Sequence, residues 1–156
     1  MYLLDNLTYG DEGKLYVQDA LVAIAVCAAK VDEEYSSEKA DRIAALALAN
    51  PLFSKEIETV KKRVYRLVHS IIPENREKAL DLAIKSLPAD LKETAFAWAA
   101  DMIVRNRGLT DAKREFLDEL TTELSIKREV AAKILKEVAV IRIREMLFGE
   151  YCQCLI

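Results

Sequence analysis

Residues 20–29 read ALVAIAVCAA, an unbroken apolar run closed by Asp19 on one side and Lys30 on the other. A run with no polar face has no side to offer to water, so it has to lie at the centre of whatever the chain folds into. It is about half the ~20 residues needed to cross a bilayer, which makes it a buried helix and not a membrane span. The surroundings favour helix throughout: four glycines and three prolines punctuate 156 residues, and alanine, leucine, lysine and glutamate dominate.

The spacing of apolar residues predicts seven helices, at about 16–31, 37–49, 54–71, 74–86, 91–106, 111–124 and 127–148. Asn50-Pro51 stops the second, because the residue before proline is driven out of the helical region. Pro73 ends the third, Pro88 opens the turn before the fifth, and Gly149 is expected to break the last. The fifth contains AFAWAADMIV and reads as a second central rod beside the first. VIRIR, at 140–144, alternates as a strand would, yet it has no turn before it and sits inside a long helical period, so it is read as helix. The fold class is therefore all-α: a single-domain bundle of about seven helices, with a loosely ordered segment 1–13, a domain 14–149 and a tail 150–156. A chain of this length buries roughly 70% of its unfolded surface and needs no staple.

Net charge is -3, which offers phosphate backbones little attraction and argues against a nucleic-acid partner. Three cysteines form an odd set, Cys27 inside the apolar run and Cys152 and Cys154 near the end, so a reducing cytoplasm is expected and not a disulfide framework. Residues 1–13 carry Asp5, Asp11 and Glu12 and no basic n-region, unlike a signal peptide.

An internal echo appears when Asp32 is laid over Asn106: Tyr35, Lys39, Ile43 and Leu46 then meet Leu109, Lys113, Leu117 and Leu120. What repeats is an arrangement: apolar helix, short polar turn, an apolar residue placed as a hydrophobic staple, a Ser or Thr cap, then an amphipathic helix. Two pseudo-repeated halves around the two central apolar helices, descended from an ancient duplication, are one reading of it; the likeness that all helical hairpins share is the other.

KVDEEYSSEKADRI, at 30–43, and RNRGLTDAKREFLDELTTELSIKREV, at 105–130, resemble the turn-plus-helix element of the TerB-like family of tellurite-resistance proteins, of the form D-G-E-h-(S/D)-x-x-E with h apolar. The likeness spans about 17–146. It implies an all-helical domain of two related halves, a role in tellurite and stress resistance, a cytoplasmic or membrane-peripheral location, and acidic turns that hold metal. Set against that pattern, Asp32 and Glu34 match the two acids, Glu33 replaces the glycine, Ser36 takes the cap, and Lys39 replaces the final glutamate while Glu38 stands one place early. In the second turn Asn106, Arg107 and Gly108 replace acid, glycine and acid, Thr110 takes the cap, and Lys113 again replaces the final glutamate. The second turn has lost its anions, so at most the first would bind a cation.

Asp32, Glu34, Ser36 and Glu38 fit the first four ligand positions of a helical calcium loop, but Ser37 falls where its glycine belongs and Ile43 where its bidentate acid belongs. This is not an EF-hand. Two readings stand side by side: a weak calcium or magnesium site on Asp32, Glu34 and Glu38, and a solvated helix cap in which Ser36 or Ser37 accepts from orphan amides and Glu38 favours the helix dipole. Cys152 and Cys154 lack the further cysteine or histidine of a tetrahedral set and read as a mobile tail, with soft-metal or tellurium-oxyanion chemistry as the alternative.

Cys27 and Trp98 read as core residues, and His69, the one histidine, as a surface or satisfied group with no nucleophile or phosphate loop beside it. Lys55, Lys61, Lys62, Arg63 and Arg66 crowd one helix, either as a solvated face or as an anionic-lipid or nucleic-acid patch. The expected function is a non-enzymatic helical adaptor with protein partners. Peripheral attachment to the inner face of a membrane is one alternative and a hydrolase or redox enzyme another.

Overall fold

The computed structural model describes the backbone of residues 14–31, 35–70, 76–104 and 109–154, and side chains only as far as residue 141. Among the described residues there are seven α-helices: α1 (Val17–Ala29), α2 (Ser37–Ala49), α3 (Ile57–Ser70), α4 (Arg76–Ser86), α5 (Lys92–Val104), α6 (Asp111–Glu123) and α7 (Arg128–Cys154), with a 3₁₀ turn, Ala89–Leu91, leading into α5. Each coincides with one of the helices expected from spacing, and the molecule is the all-α bundle the sequence implies.

α1 and α5 form the axis, sharing an extensive helix–helix contact among the described residues. Every side chain from Asp19 to Ala29 is buried, and in α5 burial takes in Ala95, Phe96, Trp98, Ala99 and Ala100. The alanines in both rods let two backbones approach closely, because interaxial distance follows the size of the side chains at the contact. Around this pair, α3 and α4 pack on α1, and α6 and α7 pack on α5. Trp98 stacks at 5.7 Å on Phe53, so it is a packing residue as its place in the apolar rod suggests.

The arrangement that echoes in the sequence is repeated at the two capped helices. α2 and α6 are each 13 residues long and begin 74 residues apart. Both start on a hydroxyl cap: Ser36 Oγ accepts from the Lys39 amide at 3.3 Å, and Thr110 Oγ1 accepts from the Lys113 amide at 3.3 Å. The halves diverge at the next helix. α3 packs broadly on α2, whereas α7, among the described residues, packs mainly along α5.

Three boundaries differ from expectation. α3 begins at Ile57 and not at residue 54, because Ser54 Oγ accepts from the Glu56 amide at 3.1 Å and forms a local turn first. The 3₁₀ turn takes residues 89–91 before α5 begins at Lys92. Gly149 does not break α7, which continues to Cys154. A helical glycine costs only about 1 kcal/mol relative to alanine, and no proline or cap follows it here, so propagation wins. At the end of α6, Ser125 adopts φ 57° where glycine is usual, and the Ile126 amide donates to Thr121 O at 3.0 Å to close a Schellman turn. Residues 1–13, expected to be loosely ordered, lie outside the described residues.

Candidate functional site

Of the three residues proposed to hold a cation, Asp32 and Glu34 lie outside the described residues, and Glu38 is exposed in the first turn of α2. The described part of this turn contains a cation of its own. Lys39 is 8% exposed, and its ammonium donates to Ala29 O at 2.7 Å, where α1 runs out of intrahelical partners for its last carbonyls. Lys113, the matching residue of the second half, is 3% exposed. These are the two lysines that stand where the TerB-like pattern has its final glutamate. An ammonium meeting the negative end of a helix satisfies a dipole that would otherwise call for another positive group. Among the described residues no group of three or more His, Cys, Asp or Glu converges closely enough to hold a metal ion.

The rods carry one buried acid each, and both acids tie neighbouring helices to the axis. Asp19 in α1 is fully buried and accepts from Arg63 Nη1, and from Arg66 Nη2 at 3.2 Å, both on α3. Asp101 in α5 receives a bidentate pair from Arg42 of α2, Nε and Nη2 each at 2.8 Å. A carboxylate in an apolar interior is tolerable only with such partners. These pairs also sort the basic residues of the α3 region. Arg63 and Arg66 are bound inward, and Lys55 donates to Leu48 O at 2.8 Å and Asn50 O at 3.1 Å, closing the end of α2. Lys61 and Lys62 remain exposed.

Those two lysines border a cleft of about 590 Å³ between α2 and α3, whose walls include Tyr35, Ala40, Asp41, Val64 and His69. His69 is exposed and rests against Tyr65, ring centres 4.1 Å apart. Tyr35 packs on the core as the staple position requires; its hydroxyl is covered and finds no hydrogen-bond partner among the described residues. Burial, and secondarily the charge of Asp41, pushes its phenol above the ordinary tyrosine range. The two buried acids are held by arginines, so this cleft brings His69 together with the exposed Asp41 and with neither of them. Cys27 is buried in the core, and burial pushes its thiol up to about 12, which leaves it protonated and unreactive. The backbone of residues 152–154 belongs to α7, and the side chains of Cys152 and Cys154 lie outside the described residues.

A second groove, of about 510 Å³, runs between α4 and α6, two helices that lean on the central rods and make little contact with each other. Leu80, Ile84, Phe116 and Leu120 form its floor. Glu77 and Asp81 on one side and Asp118, Glu119 and Glu123 on the other form its rim. Lys85 reaches Asp81 at 2.9 Å, and that hydrogen bond and charge, with Glu123 more weakly, push the Lys85 ammonium above its ordinary value. Reading the sequence for stripes finds the floor but not the rim, because acids spread over two helices look like two solvated faces until the fold sets them opposite one another. The signal was present as Glu77 and Asp81, four apart on α4, and Asp118, Glu119 and Glu123 on α6.

No helix among the described residues is long and apolar enough to cross a membrane. Comparison with protein-family models, with curated proteins and with solved structures returned no match.

Proposed function

We propose that this chain is a non-enzymatic helical adaptor of the TerB-like kind, cytoplasmic, acting in tellurite or general stress resistance through contacts with other proteins. The observation that carries the reading is the way ionisable groups are placed. The acids of the interior are bound to arginines, Lys39 closes a helix end, and the cysteine of the core is held protonated. Catalysis requires groups of perturbed pKa converging on a cavity where a reacting atom fits. What this surface offers is grooves between amphipathic helices, the form in which helical proteins receive other helices. The pairing of Lys39 and Lys113 at matching positions supports descent of the two halves from one duplicated element, and the caps Ser36 and Thr110 stand where the family's pattern has its own.

Genetic complementation tests this. Deleting the gene should sensitise its host to tellurite, and both the wild-type chain and His69→Ala should restore growth in full. A deletion strain that tolerates tellurite as its parent does would remove the stress role, and failure of His69→Ala would reopen catalysis. The cation at the first turn is tested by calorimetric titration with calcium and magnesium, on the wild type and on Asp32→Ala with Glu34→Ala. Heat seen only with the wild type supports the site, and equal silence from both leaves the cap.

A further inference from the structure

We infer that the groove between α4 and α6 is a docking site for a basic amphipathic helix of another protein, a reading that rests on the adaptor role and names its partner's chemistry. The floor and the rim make separate demands. Leu80 and Phe116 are half-buried, with Ile84 and Leu120 beneath them, so a helix laid in the groove covers apolar surface that water now touches. The rim places five carboxylates along the two edges, against which Lys85 supplies one ammonium. A ligand that meets both has an apolar stripe at helical spacing flanked by lysines or arginines.

Two other occupants fit less well. The carboxylates line opposite edges and do not gather round a point, and no metal-holding group is found among the described residues, so a distributed cation suits them better than an ion. A second copy of this chain meeting the same groove face to face would set acid against acid. The protein itself shows how such a helix sits: α3, with Val60, Val64 and Leu67 buried and Lys61, Lys62, Arg63 and Arg66 around them, packs on α2 and α1.

The test is fluorescence anisotropy on the full chain with a labelled leucine–lysine peptide about five helical turns long, its leucines at i, i+3, i+4 and i+7. The expected result is saturable binding that weakens with salt, falls at least tenfold in Asp118→Lys with Glu119→Lys, and changes less than threefold in Glu56→Lys with Glu58→Lys. That control makes the same change in net charge at exposed positions on the first turn of α3 and just before it. Circular dichroism confirms that each variant is folded, and Glu77→Lys with Glu123→Lys repeats the test from both edges should the first pair fail to fold. Equal loss in the control variant would reduce the effect to diffuse charge and overturn the inference. So would undiminished binding of a peptide with its leucines replaced by serine, or a wild type whose oligomers dissociate on charge reversal in the groove. Each of these outcomes bears on the groove alone, whereas the adaptor reading stands or falls on complementation.

Discussion

Replacing Arg63 and Arg66 together by methionine should be the most damaging surface-accessible change in the molecule, although it removes no apolar contact. The two guanidinium groups are 30% and 39% exposed at the side chain, but the carboxylate they bind, Asp19, is at 0% and sits on the central rod. Methionine keeps much of each arginine stem's packing while taking away the charge. What remains is a carboxylate in the core that has lost the Arg63 and Arg66 guanidinium groups, and breaking a buried pair from one side costs about 3–5 kcal/mol. For a chain of this length each kcal/mol shifts Tm by roughly 2–4 °C, so a loss of roughly 6–20 °C is expected. Adding Asp19→Leu should recover most of that loss, since a buried ion cluster replaced as a whole by apolar groups is often neutral. Thermal melts followed by circular dichroism, with urea titration for the free energies, measure all three proteins. A double-arginine variant within about 1 kcal/mol of wild type would refute the reasoning, as would a triple variant no more stable than the double.

Lys39→Met should cost about 1–3 kcal/mol in urea unfolding by leaving Ala29 O without its donor. Ser125→Gly should stabilise by up to about 1 kcal/mol, because glycine removes the left-handed penalty at φ 57° while adding some unfolded-state entropy. Ala99→Leu, at a fully buried site on α5, should overpack the axis and cost about 1–3 kcal/mol by the same assay. Cys27 gives a pH dependence: its thiol ionises near 9.0 when unfolded and near 12 when folded, so above pH 9 the unfolded state binds fewer protons and its contribution to stability falls, by about 1.4 kcal/mol per pH unit up to 12. Peptide-level mass spectrometry after iodoacetamide at pH 8 should find Cys27 unmodified in the folded chain and modified in urea.

How much of this was legible in the sequence varies with the range of the interaction. The rods, the caps Ser36 and Thr110, the stop at Asn50-Pro51 and the helical reading of residues 140–144 all follow from near neighbours, and the structure repeats them. Gly149 misled because a glycine is a weak breaker when nothing else ends the helix. The repeat was also legible, through lysines at matching positions, yet their burial was not, since a lysine written in a sequence looks solvated until a helix end is placed beside it. Asp19 looked like the border of an apolar run and is its anchor, because Arg63 lies 44 residues away. The α4–α6 groove is hidden in the same way, since no periodicity within either helix reveals that the two acidic edges face each other.

Native-state hydrogen exchange, resolved by residue, addresses the side-by-side packing of α1 and α5 most directly. Amides in the hydrogen-bonded turns of Val17–Ala29 and Lys92–Val104 should exchange only through global unfolding, with the same free energy in both helices and the same denaturant dependence. Exchange of either helix by local opening, while the other stays protected, would mean that the two do not form one axis and would undo the duplicated bundle built around them.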